Sequence, residues 1–383
     1  MKKNIFVFII ISLILFILLI TFPKAALNAA ETGLLLWFNV VLPALLPFFI
    51  GSYILLETGV LGVVSGIFQP LTRILFGCPG HGAYVFLASA FSGYPMGAKL
   101  TMQLYENNMI TEPEAERIVN LTSVTGPVFI YGAVAYGLLN VPEAGIYIAA
   151  PHYVSALFAG VLFHIFSKKR LHVSRIEKGF FKNEVRKIVF QNRLYGTDIG
   201  TILSRAVQRA VETLLLLLGF IVLFSAITGI LETLGVFMLY EKLFAPMLDI
   251  LAIPSGGGKA LLGGTLEMTT GANAAAALNA GLSVKCALLS GLISFGGLSI
   301  HAQTYAICAK SGIHTKGFML FKTLQALLSG ALTALMFKLF PIAYTASNIK
   351  NENADTGFVY AGSVFLLVCL VFFYLHMRRT GKA

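Results

Sequence analysis

The chain has 383 residues, of which 57% are hydrophobic and only 12% are charged, and its mean hydropathy is +0.82. A typical soluble domain has about 25% charged residues, so this composition places the chain in a bilayer. The formal net charge of +11 does not indicate nucleic-acid binding, because the basic residues flank the apolar stretches. That distribution is typical of cytoplasmic loops and of segments that contact anionic lipid.

Eight apolar stretches approach the length of about 20 residues that a membrane-spanning helix needs. They cover residues 4–22, 34–58, 118–140, 144–166, 211–235, 284–308, 318–340 and 357–377. The first could be a signal peptide, but its apolar run is long and no clear cleavage site follows, which favours a retained helix. The four cysteines have no paired spacing and predict neither a disulfide framework nor a metal site.

Two further apolar segments, one in each half, are interrupted by small and polar residues. The first contains Ser92-Gly93-Tyr94-Pro95-Met96-Gly97-Ala98, and the second contains Glu267-Met268-Thr269-Thr270-Gly271-Ala272-Asn273. In hydrocarbon, irregular backbone is tolerated only where protein or a water-filled cavity satisfies its polar groups. Paired interruptions are the best sequence indication of a transporter's binding site. The alternative is that the small residues only allow close helix packing.

The charge distribution predicts the topology. With Lys2 and Lys3 inside, a full crossing by residues 80–105 would place the basic segment 167–210 outside. We therefore predict that residues 80–105 form a re-entrant hairpin entering from the cytoplasm. The same reasoning predicts an external hairpin at residues 256–280 and cytoplasmic termini.

Short motifs of the first half recur in the same order in the second. Leu56-Glu57-Thr58 recurs as Leu231-Glu232-Thr233, and Phe68-x-Pro70-Leu71 recurs as Phe244-x-Pro246-Met247. We therefore predict an all-α polytopic membrane protein with about eight transmembrane helices and two re-entrant hairpins in an inverted-topology repeat. The expected segments are an N-terminal membrane helix (1–33), repeat 1 (34–166), a basic cytoplasmic linker (167–210), the inverted repeat 2 (211–340), and a C-terminal membrane helix with a basic tail (341–383).

The expected site combines the two interruptions with polar breaks in the spans that follow them, at residues 122–127 and 294–303. Broken helices leave free N–H groups and a partial positive charge, which favour an anion. The candidate substrate-binding residues are Ser92, Gly93, Tyr94, Pro95, Gly97, Lys99, Ser123, Gly126, Glu267, Thr269, Thr270, Gly271, Asn273, Ser294 and Gly297. No catalytic residue, metal ligand or cofactor is predicted, because the sequence has no Gly-x-Ser-x-Gly, His-Glu-x-x-His or nucleotide-loop motif.

Ionisable residues within membrane segments are functional candidates by default. Lys99 and Lys259 could instead snorkel from the ends of their segments. Glu267 is deeper and could carry a coupling proton, coordinate a cation such as Na⁺, or pair with a lysine. His301 could relay protons, although a lone membrane histidine is more often a packing residue. The coupling ion and the oligomeric state stay open.

Three motifs carry a family resemblance. They are Trp37-Phe38-Asn39-Val40-Val41-Leu42-Pro43-Ala44-Leu45-Leu46-Pro47-Phe48-Phe49, Ser92-Gly93-Tyr94-Pro95-Met96-Gly97-Ala98 and Thr125-Gly126-Pro127-Val128-Phe129-Ile130. With them, residues 1–340 resemble the YlbJ family of sporulation integral membrane proteins, which carry a nucleoside-recognition, or gate, domain.

The resemblance implies a protein of the mother-cell-derived outer forespore membrane that moves dipicolinic acid towards the forespore. Dipicolinate is a small aromatic dianion, which suits opposed helix N-termini. The gate domain would instead imply a nucleoside, which Asn273, Glu267 and Gln303 could bind. A non-transporting membrane scaffold for spore-envelope assembly is the third alternative.

Overall fold

The computed structural model describes residues 2–57, 68, 72–166, 198–313, 315 and 317–341, and within these ranges the chain forms helices and no strand. The α-helices are α1 (Lys2–Thr21), α2 (Pro23–Leu36), α3 (Leu42–Glu57), α4 (Gly80–Ser92), α5 (Met96–Glu106), α6 (Glu112–Thr122), α7 (Ala144–Phe166), α8 (Ile199–Thr233), α9 (Val236–Ile250), α10 (Gly257–Leu266), α11 (Met268–Ala276), α12 (Leu282–Phe295), α13 (Gly297–Lys310) and α14 (Phe318–Leu339). Two π-helical segments are π1 (Trp37–Val41) and π2 (Phe129–Leu138). The predicted all-α fold is confirmed.

Four helical segments of the described chain are long and apolar enough to cross a membrane. They are Ala144–Phe166, Ile199–Thr233, Leu282–Lys310 and Phe318–Leu339, and the pair Phe8–Thr21 and Pro23–Val41, bent by 99°, would be a fifth if it counts as one span. The protein is therefore a polytopic membrane protein. The number of about eight spans stays a prediction, since the stretch at 357–377 lies outside the described residues, as does the basic segment 167–197.

The bounds of the second and fifth predicted stretches differ from the sequence expectation. A bend separates α1 from α2 at Pro23, which has no N–H to continue the hydrogen bonding of α1. The helix that follows runs through π1 to Glu57, so it begins well before residue 34. In the second half, α8 begins at Ile199, so residues 199–210, expected in the linker, are helical.

Two helix–turn–helix hairpins form where the apolar segments are interrupted. Hairpin 1 consists of α4 and α5, and α4 ends because Gly93 has the positive φ of +71°. Hairpin 2 consists of α10 and α11, which are separated by Glu267 in an extended conformation. The two helices of each hairpin pack against each other. Both predicted turns are confirmed, while their entry from opposite faces of the membrane stays a prediction.

The predicted breaks in the following spans are also present. Helix α6 ends at Thr122 and π2 begins at Phe129, while Gly296 and Gly297, with φ of +83° and +73°, separate α12 from α13. Residues 80–166 and 257–339 thus share one order of elements, which is a hairpin, an interrupted helix and a long helix. Helices α7, α12 and α14 pack together behind the two interruptions.

Helix α9 is an element that the sequence did not predict. It connects α8 to hairpin 2 and carries the second copy of the Phe-x-Pro motif, Phe244-x-Pro246. Phe237 and Leu248 are buried, whereas Met238, Leu243 and Ile250 are exposed. This one-sided burial is typical of a helix that lies along the protein surface.

Candidate functional site

The turns of both hairpins and both interrupted helices meet around one small cavity, here termed the central cavity. Its free volume is about 50 Å³, which is room for a few water molecules. Its polar lining residues are Ser92, Tyr94, Thr125, Glu267, Thr269, Ser299 and Gln303. The remaining walls are largely apolar and include Phe49, Phe91 and Phe129. The predicted convergence of the two halves on one point is therefore present.

Two buried polar atoms of the central cavity lack a hydrogen-bond partner among the described residues. They are Oγ of Ser92 and Oε1 of Gln303, on side chains that are only 2% and 1% exposed. An unpaired buried polar atom costs about 1–3 kcal/mol, so such atoms are rare in native structures. Ser92 lies at the end of α4 and Gln303 in the middle of α13. Each half of the chain thus presents one unpaired group to the cavity, where a bound molecule could satisfy both.

Glu267 is the only carboxylate that lines the central cavity within the described chain, and no lysine, arginine or histidine lines it. The carboxylate accepts a hydrogen bond from the backbone N–H of Thr270 at 2.7 Å and another from the hydroxyl of Thr269. It therefore caps the N-terminus of α11. Of the three alternatives for Glu267, pairing with a lysine is not found among the described residues, where ion pairs join Glu57 to Arg205 and Arg209, and Glu232 to Lys259.

A buried lysine stands directly behind the cavity wall. Lys322 of α14 is 0% exposed, and its Nζ donates to the Tyr94 hydroxyl at 2.8 Å, to the Ser123 carbonyl oxygen at 2.8 Å and to Oε1 of Gln325 at 2.7 Å. Tyr94 belongs to the turn of hairpin 1, and Ser123 follows the last residue of α6. Lys322 thus joins hairpin 1, the first interrupted helix and α14.

The network extends from Gln325 to α7 and α12. Nε2 of Gln325 donates to the His152 carbonyl oxygen at 3.2 Å, and the backbone N–H of Thr125 donates to Nε2 of His152 at 3.1 Å. Because Nε2 accepts that bond, the neutral imidazole carries its proton on Nδ1 and donates to the Ser294 hydroxyl at 2.7 Å. Every element behind the cavity is therefore held by one polar network.

Sequence reasoning missed Lys322 and Gln325. Lys322 lies four residues after the start of the predicted span 318–340, where a lysine is expected to snorkel towards the interface. The available signal was the spacing of Lys322 and Gln325, which places two polar side chains on one face of an apolar helix.

Two larger grooves lie beside the hairpins. The hairpin-1 vestibule, of about 330 Å³, is lined by Tyr53, Glu57, Tyr84, Met96, Lys99, Leu100, Gln103, Arg209 and Glu212. Nζ of Lys99 donates to the Thr213 hydroxyl at 3.4 Å, and Arg209 pairs with Glu57. The hairpin-2 vestibule, of about 790 Å³, has Asn28, Thr32, Ser225, Thr228, Glu232, Thr233, Ser255, Lys259, Thr270, Asn273 and Asn279 among its polar lining residues. There, Lys259 pairs with Glu232 at 2.5 Å, and both side chains are about half exposed.

Along its length, helix α8 lines first the hairpin-1 vestibule, then the central cavity and then the hairpin-2 vestibule. Arg209 and Glu212 line the hairpin-1 vestibule, Leu217 and Ile221 line the cavity, and the residues from Ser225 to Thr233 line the hairpin-2 vestibule. Leu217, Ile221 and Ser225 are spaced by four residues and therefore share one face of the helix. At 1.5 Å per residue, Arg209 and Thr233 are about 36 Å apart, which exceeds the thickness of the hydrocarbon core of about 30 Å. The two vestibules therefore lie towards opposite ends of α8.

The fifteen candidate residues divide among these sites. Ser92, Gly93, Tyr94, Gly126, Glu267 and Thr269 line the central cavity. Lys99 lies in the hairpin-1 vestibule, and Thr270 and Asn273 lie in the hairpin-2 vestibule. Ser123 and Ser294 belong to the Lys322 network. Pro95 precedes α5, while Gly97, Gly271 and Gly297 lie at close backbone contacts.

The glycines of the hairpins permit very short distances between helices. A Cβ atom on Gly97 would lie 2.6 Å from the Thr122 carbonyl oxygen, and one on Gly271 would lie 2.0 Å from the Cα atom of Gly264. Close packing therefore surrounds these two residues, while their part in substrate binding stays a prediction. His301 is also a packing residue here, since its ring lies between those of Phe295 and Phe318 and Nε2 is 3.2 Å from the Phe295 carbonyl oxygen.

Comparison with known proteins agrees with this architecture. Residues 38–163, which include hairpin 1 and the first interrupted helix, match the gate family described as "Nucleoside recognition". The chain is 30% identical over 372 residues to "Sporulation integral membrane protein YlbJ" of Bacillus subtilis (strain 168), covering 93% of this chain and 91% of that protein. No solved structure matches. The identity extends over nearly the whole of both chains, and this protein therefore belongs to the YlbJ family of sporulation integral membrane proteins.

Proposed function

We propose that this protein is a secondary transporter of a small organic anion and that it works by alternating access around the two hairpins. The observation that carries the proposal is the order of sites along α8, where a small cavity with unpaired polar atoms lies between two polar vestibules. A transporter needs such an arrangement, because a site must be reached from each face in turn. A scaffold protein would have no use for unpaired buried polar atoms between two polar vestibules.

The barriers on either side of the central cavity are thin. On the hairpin-2 side, the hydroxyls of Ser225 and Thr270 lie 3.4 Å apart at the floor of the vestibule, one residue from Thr269 in the cavity. On the hairpin-1 side, the Tyr53 hydroxyl contacts the Thr213 hydroxyl at 2.7 Å. Hairpin 1 itself contacts α8 through Nζ of Lys99, which donates to the Thr213 hydroxyl at 3.4 Å. Movement of either hairpin by a few ångströms would break its contact with α8.

We propose dipicolinic acid as the substrate, moved towards the forespore across the mother-cell-derived outer forespore membrane. The family resemblance suggests this compound, and two features of the cavity suit it. Phe49, Phe91 and Phe129 can contact the faces of an aromatic ring. Helix α5 begins at Met96, two residues after Tyr94 of the cavity lining, and its N-terminus favours a carboxylate. A cavity of about 50 Å³ must widen to admit the molecule.

Binding to purified protein and uptake into proteoliposomes test this proposal. Dipicolinate should bind, and Ser92→Ala or Gln303→Leu should each weaken binding about three- to tenfold, as expected for one lost hydrogen bond. Gln103→Leu is the matched control, since Gln103 lines the hairpin-1 vestibule and not the cavity. Equal affinity in all four proteins would contradict the assignment of the cavity as the binding site.

A nucleoside is the second candidate substrate, and the match to the gate family favours it. The carboxylate of Glu267 and the amide of Gln303 could hydrogen-bond a ribose or a base. A competition panel of nucleosides and dicarboxylates separates the two, because displacement by nucleosides alone would replace dipicolinate in the proposal. Failure of both classes to bind would favour the scaffold.

We further propose that the two halves form an inverted-topology repeat with both termini in the cytoplasm. The shared order of hairpin, interrupted helix and long helix supports the repeat. So does the position of the recurring Leu-Glu-Thr motif, since Glu57 ends α3 in one vestibule and Glu232 lies near the end of α8 in the other. The labelling experiment described in the Discussion tests the orientation.

A further inference from the structure

We propose that a groove between α6, α7 and α14, here termed the lateral groove, binds a phospholipid of the phosphatidylethanolamine class. Such a head group carries both a phosphate and a primary ammonium. The groove has a volume of about 600 Å³, within the range typical of ligand sites. It shares no lining residue with the central cavity or with either vestibule. The inference therefore does not rest on the proposed transport function.

The lateral groove lies at one end of two membrane-spanning helices. Its lining residues on α7 run from Gly160 to Phe166, the last residue of that helix, and those on α14 begin at Leu320, near its start. The two helices pack against each other, and each is long and apolar enough to cross a membrane. The ends of such spans lie at the depth of lipid head groups. Leu320 and Phe166 are 67% and 43% exposed, so the groove is open on the side where acyl chains lie, and Phe163 and Leu324 extend its apolar wall.

The polar side chains of the lateral groove match a zwitterionic head group. Glu116 and Arg117, which are neighbours on α6, are its two charged lining residues, so the groove offers one anion and one cation side by side. Asn120 follows Glu116 by four residues and Arg117 by three, which places all three on adjoining parts of the helix surface. Arg117 can bind the phosphate, while Glu116 and Asn120 can accept hydrogen bonds from the ammonium.

The amide oxygen of Asn120 distinguishes between zwitterionic head groups. The residue is only 6% exposed, and its Oδ1 has no hydrogen-bond partner among the described residues. An unpaired buried acceptor costs about 1–3 kcal/mol, so a ligand that supplies a donor gains by satisfying it. A primary ammonium has three N–H donors. The trimethylammonium group of phosphatidylcholine has the same charge but no N–H, so it leaves this oxygen unpaired.

The cationic part of the lateral groove is built by a close approach of two side chains to the segment before α4. Gly77 has a φ of +60°, and a Cβ atom there would collide with the ring of His164 and lie 2.8 Å from Nη1 of Arg117. The glycine thus allows a guanidinium and an imidazole to reach the same point, and both of these residues line the groove. Guanidinium matches the geometry of phosphate oxygens, and an imidazole N–H can donate to them as well.

Native mass spectrometry tests the proposal, because it counts the lipid molecules that stay bound when the protein leaves a detergent micelle. The protein is titrated with phosphatidylethanolamine, phosphatidylcholine and phosphatidylglycerol with identical acyl chains. The first phosphatidylethanolamine should bind about tenfold tighter than phosphatidylcholine, as expected when the ammonium donates to Asn120 and Glu116. Phosphatidylglycerol should bind less tightly than phosphatidylethanolamine, since it has no cation for Glu116. Glycerophosphoethanolamine, the same head group without acyl chains, should not displace the lipid at equal concentration.

Three variants assign the contacts. Asn120→Leu should reduce the preference for phosphatidylethanolamine over phosphatidylcholine about threefold or more, and Glu116→Gln should reduce it in the same direction. Arg117→Gln should weaken the binding of both lipids about three- to tenfold, because both contain the phosphate. Arg205→Gln is the matched control for charge, since Arg205 lies outside the groove with a side chain that is 54% exposed, and it should change neither affinity.

Equal affinity for phosphatidylethanolamine and phosphatidylcholine would overturn the proposal, as would an unchanged preference in Asn120→Leu. Tighter binding of phosphatidylglycerol would assign the groove to an anionic lipid instead. Displacement by glycerophosphoethanolamine at equal concentration would show a site for a soluble phosphate compound. If Asn120→Leu does not fold, Glu116→Gln and Arg117→Gln decide, because both of these side chains are partly exposed.

Discussion

Substitution of Gly97 by alanine tests whether the close contact between hairpin 1 and the interrupted helix is required. The added methyl group would lie 2.6 Å from the Thr122 carbonyl oxygen and 2.7 Å from its hydroxyl oxygen. An ordinary contact begins at 3.4 Å, so one of the two helices must move by about 0.8 Å. The Thr122 carbonyl oxygen also accepts a hydrogen bond from the Ser89 hydroxyl, and the next residue bonds to Lys322. The strain therefore reaches both elements of the site.

The magnitude follows from a comparison with a second helical glycine. Overpacking of this kind costs about 1–3 kcal/mol, whereas replacing glycine by alanine in a helix gains up to about 1 kcal/mol from helix propensity. Gly219 of α8 has no atom within 4 Å of the added Cβ, so Gly219→Ala has only the gain. The free energy of unfolding of the Gly97→Ala variant should therefore be about 1–3 kcal/mol lower than that of the Gly219→Ala variant.

Unfolding in mixed detergent micelles, followed by the helical circular dichroism signal, measures this difference. Dipicolinate binding to the same two variants shows whether the displaced helices also disturb the cavity, as we expect for Gly97→Ala alone. Equal stability of the two variants would refute the reasoning, because it would mean that the contact between α5 and Thr122 can relax without cost.

Two further predictions concern the cap of hairpin 2 and the topology. Glu267→Ala should destabilise the protein by about 1–3 kcal/mol in the same unfolding assay, because it leaves the partly buried N–H of Thr270 without an acceptor, whereas Glu267→Gln keeps an oxygen there and should cost less. Glu232→Gln, which removes only an ion pair between half-exposed groups, should cost less than about 1 kcal/mol, and a larger loss than that of Glu267→Ala would contradict this order. Single cysteines at Asn107 and Asn279, both exposed at the bases of the two hairpins, should react with a membrane-impermeant reagent from the cytoplasmic and the external side, respectively. Reaction of both from the same side would disprove the inverted topology.

The interruptions were predictable from the sequence because local chemistry causes them. Gly93 and Gly296 adopt positive φ angles that other residues disfavour, and Pro95 lacks the N–H that a continuous helix needs. These residues act within their own segment, whatever packs around them. The breaks, the hairpins and the involvement of Ser92 and Glu267 therefore follow from the sequence.

The direction in which each side chain points from its helix was harder to predict from the sequence. Thr269 and Thr270 are neighbours in α11, yet one lines the cavity and the other lines the hairpin-2 vestibule, because successive residues point about 100° apart. The burial of Lys322 depends on how α14 packs against α6, α7 and α12, which a single apolar stretch does not reveal. Helix α9 was missed because its apolar face is short and lies in a segment expected to be a connection.

The charges along the path explain why a buried cation is suited to an anion transporter. A dicarboxylate in the central cavity would bring two negative charges beside Glu267, whose carboxylate already lines it. No cation of the described chain touches the cavity, but Lys322 donates to the Tyr94 oxygen, which leaves the Tyr94 hydroxyl hydrogen for an acceptor within reach. That hydrogen now has the Ile293 carbonyl oxygen at a distant 3.4 Å. A substrate carboxylate would be a stronger acceptor, and through Tyr94 it would experience the positive charge without displacing Lys322. Lys322 can therefore favour an anion in the central cavity without lining it.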